Sequence, residues 1–278
     1  MLFRSTRLTI NGSRHYKTPF GSLPSVTTIL GATQGSKAAL ERWAKKNPGK
    51  KEQAARRGTA IHARMEHYLL GQKDFSYEEN EDPEFIKDTI ERFWNGLSEK
   101  LDKFDKVIWA ENPANDDFQW TIGSDGISRV WSPGEHESEV RGWAGAPDII
   151  ATYKGKVVLG DLKTSNNPYY SKWPDSSTPK SEYGKKRSGF MKYQKCQLQL
   201  AAYALGLEHT INIIPDLCMT FVATKEDSQV FVIQKHTIEK YKQKWLDIVT
   251  KYYEEVLPSK KKAVVEMEGI DGDNIDPK

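Results

Sequence analysis

The alternation of apolar and polar positions divides the chain into recognisable elements. LFRSTRLTI and SRHYK are two β-like runs around Asn11-Gly12, a dipeptide suited to a two-residue hairpin turn. LPSVTTIL, from Leu23, opens a helix that Ser25 can cap. Residues 36–47 predict a second helix, ending before Pro48. Residues 50–70 predict a longer one, in which Ile61, Met65, Tyr68 and Leu69 form an apolar stripe and Gly71 is the stop. The acidic EENEDPE reads as a loop, and Pro83 suits the start of a helix running to about Leu101. KVIWAE reads as a strand, and residues 112–140 as strands and loops around FQWTIG. A strand–turn–strand covers 148–163, and 166–192 reads as a loop. Tyr193 to Leu207 is helical, DLCMTFVAT and QVFVIQ are strands, and Ile238 to Leu257 is a helix. The tail, 258–278, turns from lysine-rich to acidic and is expected to be flexible. This order predicts an α/β fold, a central mixed β-sheet flanked by helices. We expect one domain over 1–257: a hairpin and helical part (1–105), then a sheet core (106–257).

The middle hairpin carries the most chemistry. A turn centred on Lys154-Gly155 makes Asp148 the cross-strand partner of Asp161. Such partners have Cβ atoms about 5 Å apart on one face, where like charges destabilise. A divalent cation with oxygen ligands would relieve the pair. Period-2 alternation adds Lys163 to the same face, roughly 6.6 Å from Asp161 along the strand. Two carboxylates and a lysine form a hydrolytic constellation: the carboxylates hold a metal, and the lysine positions water or stabilises charge on a phosphate. An exposed Asp/Lys ion pair would explain Lys163 but not the paired aspartates. On the long helix, His62 and Glu66 share a face beside the apolar stripe. Gln199 and Tyr203 share one on the later helix, where an amide and a phenol can hold a phosphate or a base edge.

Composition changes this picture only at the edges. A net charge of +3 does not by itself call for nucleic acid. Segment 166–192, however, holds six Lys/Arg, three Tyr and one Trp against two acids, with Lys185-Lys186-Arg187 its densest patch. Basic side chains contact phosphates and aromatic rings stack on unpaired bases, so this segment is read as a lid over single-stranded DNA. No apolar run approaches the ~20 residues that span a bilayer. Cys196 and Cys218 offer neither a disulfide framework nor metal-ligand spacing, and a reducing cytosol fits them. No acid precedes Glu41, as in a mitochondrial presequence, but the Asn11-Gly12 hairpin is the preferred reading of that start.

Pro147-Asp148 followed by Asp161-Leu162-Lys163 resembles the signature of the PD-(D/E)XK nucleases. Gly58-x-x-x-His62-x-x-x-Glu66 upstream and Gln199-x-x-x-Tyr203 downstream resemble, in order, the flanking motifs of their RecB-like exonuclease branch. The Leu-Pro-Ser-Val-Thr start at Leu23 and the Asp-x-Lys-Thr-Ser ending at Ser165 are similar to the mitochondrial genome maintenance exonuclease group with its phage and bacterial relatives. The resemblance covers about residues 20–210, and the 166–192 segment is long for the family. It implies a restriction-endonuclease-like core. It implies His62, Asp148, Asp161 and the Leu162 carbonyl as metal ligands, Lys163 as catalytic lysine, and Gln199 and Tyr203 as braces. Glu66 and Glu111 would be supporting acids, and Ser25, Thr164 and Ser165 would join Lys185, Lys186 and Arg187 in contacting DNA. The expected activity is a Mg²⁺-dependent exonuclease, with Mn²⁺ able to substitute, acting as a monomer on single-stranded DNA or DNA ends. A cytoplasmic setting, bacterial or phage-infected, is preferred over a mitochondrial one. The rival readings are an endonuclease on the same core and a non-catalytic nucleic-acid-binding module.

Overall fold

The computed structural model describes residues 7–18, 21–34, 36–72, 75–77, 82–110, 128–133 and 140–259. Strands β1 (Arg7–Ile10) and β2 (Ser13–Thr18) form the expected hairpin, and β3 (Gly21–Pro24) completes a three-stranded antiparallel sheet. Asn11 and Gly12 both take positive φ, 49° and 67°, the geometry a tight hairpin requires. Helix α1 (Val26–Thr33) follows, capped by Ser25 Oγ, which accepts from the Thr28 amide at 3.0 Å. Helices α2 (Ser36–Lys46) and α3 (Lys50–Leu69) come next, and α3 ends just before Gly71.

The helix expected from Pro83 to Leu101 is interrupted. It consists of α4 (Pro83–Phe85), a π-helical segment (Ile86–Glu91), α5 (Arg92–Trp94) and, after a turn at 95–97, α6 (Ser98–Leu101). The break falls where the backbone presses on a strand far away in sequence. A Cβ on Gly96 would lie 2.6 Å from Asp227 Oδ1 and 2.9 Å from the Ser228 amide.

The main sheet uses β4 (Lys106–Ala110), β7 (Ile149–Tyr153), β8 (Lys156–Thr164), β9 (Leu217–Ala223) and β10 (Ser228–Gln234) in the order β10-β9-β8-β7-β4. Only β8 and β9 run parallel; the other neighbours are antiparallel, so the sheet is mixed as expected. A parallel pair needs a crossover, supplied here by α7 (Lys180–Ile211). Strands β5 (Ser128–Pro133) and β6 (Val140–Gly145) pair separately. Helix α8 (Lys235–Lys251) and a π-helical segment (Tyr252–Val256) close the described chain.

Alternation along β7, β8 and β9 sends side chains into two cores. Ile150, Leu159 and Val222 pack with α7, α8 and Trp143. Ile149, Val158, Leu162 and Phe221 pack with α3 and the 83–101 helices through Ile61, Met65 and Phe93. Burial on both faces explains why β9 is an apolar run interrupted only by Thr220.

The loop expected over 166–192 is a correction. Only 165–179 is irregular, and residues 180–192 are the first turns of α7. These turns are largely exposed, so no apolar stripe marks them, and Gly184 and Gly189 mimic a loop composition. Gly189 has a packing reason: its Cβ would meet the Pro168 carbonyl at 2.6 Å, so the irregular segment lies directly against the helix. Of the expected tail, 258–278, residues 260–278 lie outside the described residues, as do Glu111 and FQWTIG.

Candidate active site

The β7–β8 turn has Lys154 at φ 51° and Gly155 at φ 71°, and the register runs from Tyr153 opposite Lys156 to Ile149 opposite Gly160. One further step sets Asp148, just before β7, opposite Asp161. Both acids are buried, Asp148 at 8% exposure and Asp161 at 0%. Asp148 Oδ2 accepts from the Leu162 amide at 2.6 Å. Lys163 Nζ stands 2.5 Å from Asp161 Oδ2, a close ion pair. His62, half-buried on α3, places Nδ1 3.9 Å from Asp148 Oδ2. The motif residues Asp148, Asp161 and Lys163 thus share one face at the β7–β8 end, with α3 contributing His62.

The profile of the PD-(D/E)XK nuclease superfamily matches residues 36–261. The chain belongs to the PD-(D/E)XK nuclease superfamily. Members are generally nucleases, that is hydrolases acting on nucleic acid, and typically use divalent metals such as Mg²⁺. No curated protein matches the chain. A solved structure described as "Crystal structure of SSO0001" aligns at 12% identity over 68% of this chain and 84% of its own, with a TM-score of 0.23, too slight a likeness to bear on the fold. No described helix is long and apolar enough to cross a membrane.

The electrostatics of this PD-(D/E)XK site follow from burial. Desolvation opposes the Lys163 ammonium, but Asp161 and then Asp148 outweigh it and hold its pKa well above the lysine range. Lys163 is therefore a charged donor at neutral pH. Among the described residues no three His, Cys, Asp or Glu side chains stand close enough to hold an ion as arranged. The chemistry of the donor set nonetheless fits an oxygen-seeking divalent ion: two buried carboxylates, and the backbone carbonyl of Leu162, the residue directly after Asp161.

Helix α7 braces the same carboxylate. Gln199 Nε2 donates to Asp161 Oδ1 at 3.0 Å and to Tyr203 Oη at 2.9 Å. Residues four apart on a helix reach one another, so one amide links strand and helix. Tyr203 is seated on the backbone of Gly145, where a Cβ would overlap its ring. Burial, then the charges of Asp161 and Asp148, push the Tyr203 phenol up, so it stays neutral. Glu66 lies one turn beyond His62 on α3, half-buried. Glu111 lies outside the described residues.

The residues expected to contact DNA are dispersed. Ser25, 3% exposed, has its hydroxyl engaged in capping α1. Thr164 and Ser165 continue β8 past Lys163, and the buried Ser165 Oγ accepts from Lys192 Nζ at 3.3 Å. Lys185, Lys186 and Arg187 sit on the outer turns of α7. Lys186 pairs with Glu182 at 3.3 Å, and the Arg187 guanidinium lies 5.7 Å from the Trp173 ring centre. Sequence reasoning missed Gly145, Arg57 and Lys192. Gly145 carried a signal, a glycine at a strand end beside the motif, which often marks close backbone approach. Nothing in the sequence distinguishes Arg57 from its neighbour Arg56.

Proposed function

We propose that this chain is a Mg²⁺-dependent DNA exonuclease of the RecB-like branch, acting on single strands or DNA ends. One observation carries the reading: a fully buried Asp161, bound by Gln199 on one oxygen and faced by Lys163 on the other, with Asp148 as its cross-strand partner. A divalent ion held by Asp148, Asp161, the Leu162 carbonyl and His62 would supply Lewis acidity and offset the charge of the scissile phosphate. The protein's own residues do the rest. Gln199 fixes the Asp161 carboxylate, and the Leu162 amide fixes Asp148. Lys163, held charged at neutral pH by the neighbouring carboxylates, donates to a phosphate oxygen as negative charge grows on it. Glu66 and Glu111 are supporting acids. We take the enzyme to be monomeric and to work in the cytoplasm of a bacterium or infected host.

Preference for single strands is supported by the outer turns of α7 and the segment before them, where Trp173 and Tyr183 are exposed beside Arg187 and Lys186. Exposed rings can stack on unpaired bases, at about 1–3 kcal/mol each. The second reading is an endonuclease on the same core. Circular and linear single-stranded DNA of equal length, incubated with Mg²⁺, separate the two. An exonuclease degrades the linear form and leaves the circle; cutting of the circle overturns the exonuclease reading.

A further inference from the structure

Beyond Lys163, two more cations reach the end of β8, one from α3 and one from α7. Arg57, on α3, is 6% exposed, with its guanidinium 4.3 Å from the Phe93 ring centre. It donates to Asn166 Oδ1 at 2.8 Å, and its buried Nε finds no acceptor. Lys192, on α7, extends its ammonium to Ser165 Oγ at 3.3 Å and lies 5.7 Å from the Tyr169 ring centre. Among the described residues neither cation forms an ion pair with an acid. Burial first and repulsion by Arg57 second lower the Lys192 pKa below the lysine range. Buried arginines ordinarily come with a carboxylate. Among the described residues no carboxylate answers these two cations where β8 ends.

Ser165 lies on the same strand face as Asp161 and Lys163, roughly 6.6 Å past Lys163 at about 3.3 Å per residue. That spacing is comparable to one nucleotide step along a nucleic-acid backbone. We propose that Arg57, Lys192 and the Ser165 hydroxyl form a seat for the phosphate next to the scissile one. The proposal rests on the nuclease reading and adds a positioning site to it. A phosphate there would accept from the Lys192 ammonium and relieve the repulsion between the two cations. It would also fix which phosphodiester lies over Asp161.

The test is a cycle between one protein charge and one substrate charge. Wild type and Lys192→Gln are compared on a short end-labelled single strand and on the same strand with one neutral methylphosphonate beside the scissile position. Lys192 is not among the buried residues that pack α7, and glutamine keeps a polar side chain of similar length, so the substitution should leave the fold intact. Lys192→Gln should raise KM about tenfold with kcat within about twofold, and lower the salt slope of binding by about one. The methylphosphonate should weaken binding to wild type clearly more than to Lys192→Gln, where Arg57 alone still answers that phosphate. Arg57→Lys, which keeps the buried charge, should bind between wild type and Arg57→Gln. An unchanged KM and salt slope in Lys192→Gln, or an equal methylphosphonate penalty in both proteins, overturns the seat. A wild type that cleaves no DNA but shows the cycle in its Kd values would retain the seat and refute the nuclease reading.

Discussion

The Leu162 amide donates to Asp148 Oδ2 at 2.6 Å, so the carboxylate before one strand is held by the backbone of the next. Its orientation therefore depends on hairpin register, and a slip of one residue would turn the pair to the opposite sheet face. The same hairpin places Asp161 where α7 can reach it. Register, turn and the geometry of the candidate site are one feature of the β7–β8 unit.

Removing the charges at this unit should abolish activity while sparing the fold. Asp161→Asn keeps the shape and the Gln199 contact, and Lys163→Ala removes the charged donor. Both should lower kcat on end-labelled linear DNA in Mg²⁺ by about 10²-fold or more, the scale of losing one electrostatic stabiliser. Wild-type rates in both would refute the site assignment.

The two opposed carboxylates make the site respond to divalent ions even without substrate. Saturating Mg²⁺ or Mn²⁺ should raise Tm, since an ion at 100-fold its Kd adds about 2.7 kcal/mol to the folded state. Both ions favour oxygen-rich sites. Asp161→Asn should lose most of the shift. A melting curve indifferent to either ion would contradict the metal role of the pair.

Gly145 offers a structural test of the brace. A methyl group there must displace the Tyr203 ring, and overpacking of this kind costs about 1–3 kcal/mol. Gly145→Ala should lower both Tm and kcat, because Tyr203 holds Gln199, which holds Asp161. Gly96→Ala, against the Asp227–Ser228 backbone, should lower Tm alone. Equal kcat in wild type and Gly145→Ala would detach Tyr203 from the site.

Cys196 predicts the alkaline behaviour. Burial pushes its thiol up to about 12, with Lys163 opposing the shift. A group whose folded pKa is raised holds its proton more tightly when folded. Its contribution is complete below the unfolded value, about 8.5 for cysteine, and falls as pH rises from there toward 12. Lys163, also raised, adds a loss that begins only near pH 10.4, its unfolded value. Denaturant titrations at pH 7, 9 and 10 should show falling stability in wild type and a shallower fall in Cys196→Ala. Parallel curves would exclude Cys196 as the source.

The outer turns of α7 give a binding prediction. Neutralising Lys185, Lys186 and Arg187 together should weaken single-strand binding and flatten its dependence on log[salt]. Cleavage of bound substrate should change little, because these side chains lie on exposed turns away from Asp161. An unaltered salt slope would remove them from the DNA path.

Much of the fold was legible because it is written locally. Asn11-Gly12 and Lys154-Gly155 specify two-residue turns, and period-2 alternation then sets which residues oppose one another. Ser25 caps α1 through an amide three residues away. The hidden features depend on contacts between distant segments. The first turns of α7 carry no amphipathic signal because almost nothing covers them, and their loop-like composition concealed a helix. The helix from Pro83 breaks at Gly96 because of a turn some 130 residues downstream.

The amino-acid sequence by itself determined that Asp148, Asp161 and Lys163 share a strand face, since turn chemistry and the two-residue period of a β-strand act within a few residues. It also determined that His62 with Glu66, and Gln199 with Tyr203, lie on single helix faces. Tertiary structure alone decided that Gln199 reaches Asp161, that Tyr203 rests on Gly145, and that Arg57 reaches Asn166 while Lys192 reaches Ser165. Those outcomes depend on how α3 and α7 pack against the two faces of the sheet. That packing is set by the summed burial of many side chains, which no short motif encodes.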